Sequence, residues 1–134
     1  MSRKIFVNLP VKDLEKSKAF FSKLGFTFNK QFSDETAACM VISEDIYSML
    51  LTHDKWRQFT DREIAGPNVL EVMTALSAES REEVNRFVDA AVAAGAKENR
   101  PAQDYGFMFM RTFEDLDGHV WEFVWMDPAS IQQS

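Results

Sequence analysis

The sequence predicts an α+β fold in which two βαβββ modules form one cupped mixed sheet. Three observations predict it. The order strand, capped helix, glycine, three strands is written twice along the 134 residues. The helical stretches carry apolar residues at i, i+3, i+4 and i+7, whereas the others are short aromatic and β-branched runs between polar breaks. The length also suits one domain with a real core. Module 1 is expected over about residues 1–53 and module 2 over about 68–126, with a linker at 54–67 and a tail at 127–134.

IFVNLPV (5–11) reads as the opening strand. Asp13 then caps a helix whose Ser17, Phe20, Phe21 and Leu24 share one face, and Gly25 stops it. Three extended runs follow, FTFNKQF, TAACMVIS and IYSMLLT, separated by Asn, Ser, Asp and Glu. The segment DKWRQFTDREIAGP carries Trp56, Phe59 and Ile64 among charges and reads as a short amphipathic helix that caps a pocket or packs at a dimer seam.

The second half repeats the order. NVLEVMTAL (68–76) reads as a strand. Ser80 and Glu83 form a capping box that satisfies free amides at a helix start. Val84, Phe87, Val88, Ala91 and Val92 make the buried stripe, and Gly95 ends it. Extended runs follow near AKENR, GFMFMRTF and HVWEFVWM. Asp13 and Ser80 are spaced as Phe20 and Phe87 are, so the modules superimpose in sequence.

Composition excludes several function classes. The 21 acidic and 15 basic side chains leave a net charge of −6, and no basic stripe suits a nucleic acid. No apolar stretch approaches the roughly 20 residues that span a bilayer. The start, MSRKIFVNLPVKD, lacks a signal-peptide pattern, so a soluble cytoplasmic protein is expected. The one cysteine, Cys39, sits in an apolar run and reads as a small core residue. His53 and His119 read as sheet-end or turn histidines.

One residue breaks the pattern. Glu122 interrupts the apolar run DLDGHVWEFVWM, where a buried lone carboxylate is costly. Alternation puts Trp121, Phe123 and Trp125 on one face of that strand and Glu122 on the other, with Val120, Val124 and Met126.

VNLPVKDLEKSKAFFSKLGF, SMLLTHDKW and DLDGHVWEF together resemble the vicinal oxygen chelate superfamily, which includes glyoxalase I, bleomycin-resistance proteins and extradiol dioxygenases. The likeness runs nearly the full length and is nearest the branch often labelled predicted lactoylglutathione lyase. It implies a fold that hosts many reactions and plain binders alike. In metal-dependent members, side chains from strands one, four, five and eight hold one divalent ion. The corresponding positions are read as Phe6, Leu50, Glu71 and Glu122. Two of these are apolar. No cofactor is therefore expected, beyond a divalent ion held weakly by Glu71 and Glu122.

The resemblance makes Glu122 and Glu71 the candidate catalytic pair, since two close carboxylates in an apolar cavity cannot both ionise cheaply. Arg111 is the candidate cation opposite Glu122, if the turn occupies Asp115–Gly118; a slip of one residue presents Met110 and Thr112 instead. Phe6, Asn8, Leu50, Thr52, Met73 and Arg111 complete an apolar ligand pocket with a few polar contacts. The expected function is binding of a small organic molecule over a degraded metal site. The alternative is a divalent-metal-dependent lyase of the glyoxalase I type. A homodimer is the expected assembly.

Overall fold

A computed structural model describes residues 3–130 of the chain. It divides between Gly66 and Pro67 into two units of the same topology.

In the first unit, β1 (Ile5–Val11) leads into α1 (Leu14–Lys23), followed by β2 (Thr27–Asn29), β3 (Ala37–Val41), β4 (Ile46–Thr52) and a one-turn helix α2 (His53–Trp56). The sheet order is β1-β4-β3-β2. β1 and β4 run parallel and the remaining pairs antiparallel. The Asp13 carboxylate accepts the Lys16 N–H at 3.1 Å and so caps α1. Gly25 leaves the helix at φ +104, a conformation open to glycine. Phe20, Phe21 and Leu24 are buried with Val11, Met40 and Leu50, the helix-facing core that the i, i+3, i+4, i+7 spacing predicts.

The second unit holds β5 (Met73–Ser77), α3 (Arg81–Ala93), β6 (Gln103–Asp104), β7 (Met108–Glu114) and β8 (Val120–Met126). The order β5-β8-β7-β6 repeats that of the first, again with one parallel pair, β5 with β8. Ser80 Oγ accepts the Glu83 N–H at 3.0 Å, the cap read from S-x-x-E. Val84, Val88 and Ala91 are buried, and Phe87 stacks on Phe123 with ring centroids 4.6 Å apart. Val92, counted in the stripe, is exposed. Trp121 and Phe123 are buried and Trp125 half-buried, on the face of β8 that alternation assigned to helix packing.

Three extended runs end differently from their sequence reading, for local reasons. FTFNKQF is a strand only to Asn29; the Asn29 side chain then accepts the Gln31 N–H at 2.9 Å and a 3-10 turn takes over at Lys30–Phe32. The strand read at 68–76 begins at Met73. Its parallel partner starts at Val120, so the ladder reaches no further back than Met73. AKENR contributes one bridge, Lys97 with Glu114, and the strand proper waits until Gln103; Pro101 has no N–H to give to a ladder.

Candidate functional site

β8 forms because an Asp-Gly turn delivers alternating aromatic and aliphatic residues to a central position between β5 and β7. The turn decides which side chains meet. Asp115 N–H bonds to His119 O at 2.9 Å, and Gly118 N–H closes onto Asp115 O at 3.0 Å with Gly118 at φ +83. The loop is thus three residues, Leu116–Gly118, with glycine in the left-handed position that such hairpins use. The four-residue turn read from sequence would have shifted every pair by one.

The resulting register sets Thr112 across from Glu122 and Arg111 across from Phe123. Arg111 is therefore turned to the α3 side, and its expected opposition to Glu122 is corrected. There its guanidinium donates to both Glu98 carboxylate oxygens at 2.8 Å, to Asn85 at 2.9 Å and to Asp89 at 3.0 Å. These carboxylates hold its proton affinity above the ordinary arginine range, the Glu98 hydrogen bonds most of all.

Glu122 lies on the other face of the sheet, which no helix of this unit covers. Its neighbours there are Ala75 on β5, Thr112 on β7, and Val120 and Val124 on β8. Met73, Met108, Met110 and Met126 extend this helix-free face by the same pairings. Glu122 is half-buried, and among the described residues its carboxylate has no cation and no hydrogen-bond donor. Glu114, further along the face, is engaged by the Asn99 side chain.

The remaining sequence candidates scatter. Glu71 precedes β5 and is exposed, so it is not a strand position beside Glu122; Met73, the first residue of β5, is on the Glu122 face and 58% exposed. In the first unit, Phe6 and Asn8 pair with Tyr47 and Met49, and the Phe6 and Tyr47 rings stack at 4.8 Å. Leu50 pairs instead with Leu9 and Ala38, on the opposite face from Phe6, and is 0% exposed. Leu50 is a core residue, and the pocket position read for it is corrected. Thr52 caps α2 by accepting the Lys55 N–H at 3.2 Å. His53 opens α2 and His119 closes the β7–β8 turn. Cys39 is buried, and burial pushes its thiol up.

The internal repeat shows which residues the sequence reading missed. Phe6 and Met73 occupy the same place in their modules, each at the spacing that separates the two helix caps. Asn8 pairs with Met49 as Ala75 pairs with Glu122. The fourth-strand counterpart of Glu122 is thus Met49, one residue from Leu50, and the fifth-strand counterpart of Phe6 is Met73, two residues from Glu71. The four chelate positions implied by the resemblance become Phe6, Met49, Met73 and Glu122, a set with one oxygen ligand. Hard divalent ions want several oxygens, and Zn²⁺ wants imidazole, thiolate or carboxylate, so this donor set does not fit a resident metal. Among the described residues, no three His, Cys, Asp or Glu side chains gather as a metal site would.

Two open depressions lie elsewhere. One, of about 450 Å³, is lined by Arg57 and Thr60–Ile64. The other, of about 440 Å³, lies on the α3 side of the second sheet beside Asn85, Phe109 and Arg111. No described helix is long and apolar enough to cross a membrane.

A family model described as the Glyoxalase/Bleomycin resistance protein/Dioxygenase superfamily matches residues 5–123. Among solved structures, a hypothetical protein of S. aureus is 28% identical, with a TM-score of 0.77 over 92% of this chain and 94% of its own. A glyoxalase-related enzyme from Fulvimarina pelagi is 19% identical, with a TM-score of 0.78 over 93% and 88%. A genomically encoded fosfomycin resistance protein from Listeria monocytogenes is 21% identical, with a TM-score of 0.65 over 93% of each chain. No protein of curated function matches the sequence.

Proposed function

The chain belongs to the glyoxalase/bleomycin resistance protein/dioxygenase superfamily, and from that premise we propose that it binds a small organic molecule on the helix-free face of β5, β8 and β7, without a resident divalent ion. One observation carries the reading. Glu122 is a charged group on an apolar face, with nothing among the described residues to neutralise it and no second oxygen ligand at the equivalent positions. A face of methionine, valine and alanine around Glu122, with Thr112 beside it and the second carboxylate, Glu114, already engaged by Asn99, has the make-up of a small-molecule site. Its thioethers adapt to ligand shape more readily than branched side chains do.

If the bound molecule reacts, Glu122 is the group available to move a proton, with the hydroxyl-bearing Thr112 across the ladder from it. Glu71 takes no part, being exposed and ahead of the strand. The retained Glu122 is also what favours the second reading, a metal-dependent lyase, but that reading needs ligands that Phe6, Met49 and Met73 do not supply.

Elemental analysis of the purified protein, with Ni²⁺, Zn²⁺, Mn²⁺ and Mg²⁺ titrated by calorimetry, tests the proposal. The expected result is far less than one ion per chain and no tight binding isotherm. One tightly held ion per chain, lost in Glu122→Ala, would overturn the proposal in favour of the lyase.

A further inference from the structure

We infer that the group recognised at Glu122 is a cation, so that the ligand is a small amphiphilic amine carrying one positive charge beside an apolar body. This rests on the reading that the helix-free face of β5, β8 and β7 is the binding surface. It goes further by naming the ligand's chemistry.

Among the described residues, the charge of Glu122 is unmatched. Arg111, the cation nearest in the register, is turned to the α3 side and already held by Glu98, Asp89 and Asn85. Arg81 is likewise committed, bidentate to Asp104 at 2.7 and 3.0 Å and stacked over Phe109 and Trp125, which also face α3. Lys97 shares the Glu122 face but sits beside Glu114, at the end of β7 and two residues along that strand from Thr112, with no bond to Glu122. Thus no cation among the described residues serves the half-buried Glu122. A carboxylate partly removed from water is stabilised when an opposite charge with N–H donors approaches it.

The surroundings select the rest of the ligand. Met73, Met110, Val120 and Val124 border the carboxylate with soft, apolar surface that packs alkyl or aryl groups. They offer an anionic ligand no donor fork, and the net charge of −6 repels anions while drawing cations toward the protein. A bare divalent ion is poorly served, since no three His, Cys, Asp or Glu side chains gather there among the described residues. An ammonium is not, because it needs one carboxylate and an apolar resting place.

The test uses three probes of matched shape, n-hexylammonium, 1-hexanol and hexanoate, titrated into the whole protein and followed by ¹H–¹⁵N NMR. The expected result is that hexylammonium shifts the amide signals of Glu122, Thr112 and Ala75 and binds more tightly than hexanol, with hexanoate weakest. Glu122→Gln should reduce hexylammonium affinity by roughly tenfold or more, the size of a hydrogen bond to a charged group, and leave hexanol unchanged. An unaltered melting temperature for Glu122→Gln shows that the loss is not one of folding. Hexanol binding at this face as tightly as hexylammonium would overturn the charge inference while leaving the binding surface intact. Failure of hexylammonium to shift these signals also overturns it. Failure of the underlying reading has a different signature, the tight Glu122-dependent metal ion described above.

Discussion

The buried carboxylate of Asp115 accepts the indole N–H of Trp121 at 2.9 Å while its other oxygen takes the backbone N–H groups of Asp117 and His119 at 2.9 and 3.0 Å. One side chain thus sets both the β7–β8 loop and the rotamer of the largest core residue. Asp115→Asn keeps one oxygen but aims an amide N–H₂ at the indole donor. Asp115→Ala leaves all three donors without this acceptor. Each variant should lose about 1–3 kcal/mol, with Ala the worse of the two, as measured by urea unfolding followed through tryptophan fluorescence. An Asn variant as stable as the parent would mean that the indole contact contributes nothing.

The pH dependence of stability should carry opposite signs at two aspartates. The Arg81 guanidinium holds the Asp104 carboxyl below its ordinary range, so its contribution is present above about pH 4 and is lost as the pH falls through the depressed value. Burial pushes the Asp115 carboxyl up against the pull of His119 and the indole N–H, so its contribution is present below about pH 4 and is lost as the pH rises through the raised value. Unfolding of Asp104→Asn and the parent should therefore converge as the solution is acidified. The parent's advantage over Asp115→Asn should instead grow in the same direction.

Arg111 fastens α3 and the Glu98 segment to β7 from the side opposite Glu122. Arg111→Met should cost about 3 kcal/mol, the low end for breaking a buried pair, since Glu98 and Asp89 retain some access to water. The same variant should leave hexylammonium binding unchanged. Lost ligand binding in a folded Arg111→Met protein would return Arg111 to the Glu122 face and refute the register.

Two adjacent residues on β4 offer a cleaner test of the faces. Leu50 is fully buried on the α1 side, whereas Met49 is half-buried on the other. Leu50→Glu strands a carboxylate in the core and should unfold the first unit. Met49→Glu should be tolerated to within about 1.5 kcal/mol. Comparable far-UV circular dichroism melts for the two variants would contradict the alternation.

Local chemistry was legible in the sequence; pairing was not. Asp13, Ser80, Gly25 and Gly95 act within a few residues of themselves, and each behaves as read. So does the period-two split of β8, where Trp121 and Phe123 go inward and Glu122 does not. Register depends on a partner far along the chain. A loop one residue shorter than expected moved Arg111 away from Glu122. The start of β8 trimmed β5 and left Glu71 outside it. Leu50 was misplaced for the same reason: MLLT gives no internal sign of which leucine faces α1, and only the pairing of Leu50 with Leu9 decides it. The internal duplication held the correction, since the first module's cap-to-strand spacing applied to the second points to Met73.

The parallel pairs also order events in time. Ser48 bonds to Val7 across 41 residues, and Met73 must likewise wait for Val120. The antiparallel hairpins β3–β4 and β7–β8 close over short loops and have far less chain entropy to overcome. In each half, then, loop-closure entropy predicts that the strand leaving the ribosome first is the last to be zipped into its sheet. Until that happens, the helix behind it has only part of its floor. A nascent first half therefore spends its synthesis holding an unsatisfied edge, which makes the opening strand of each module the segment a chaperone would meet.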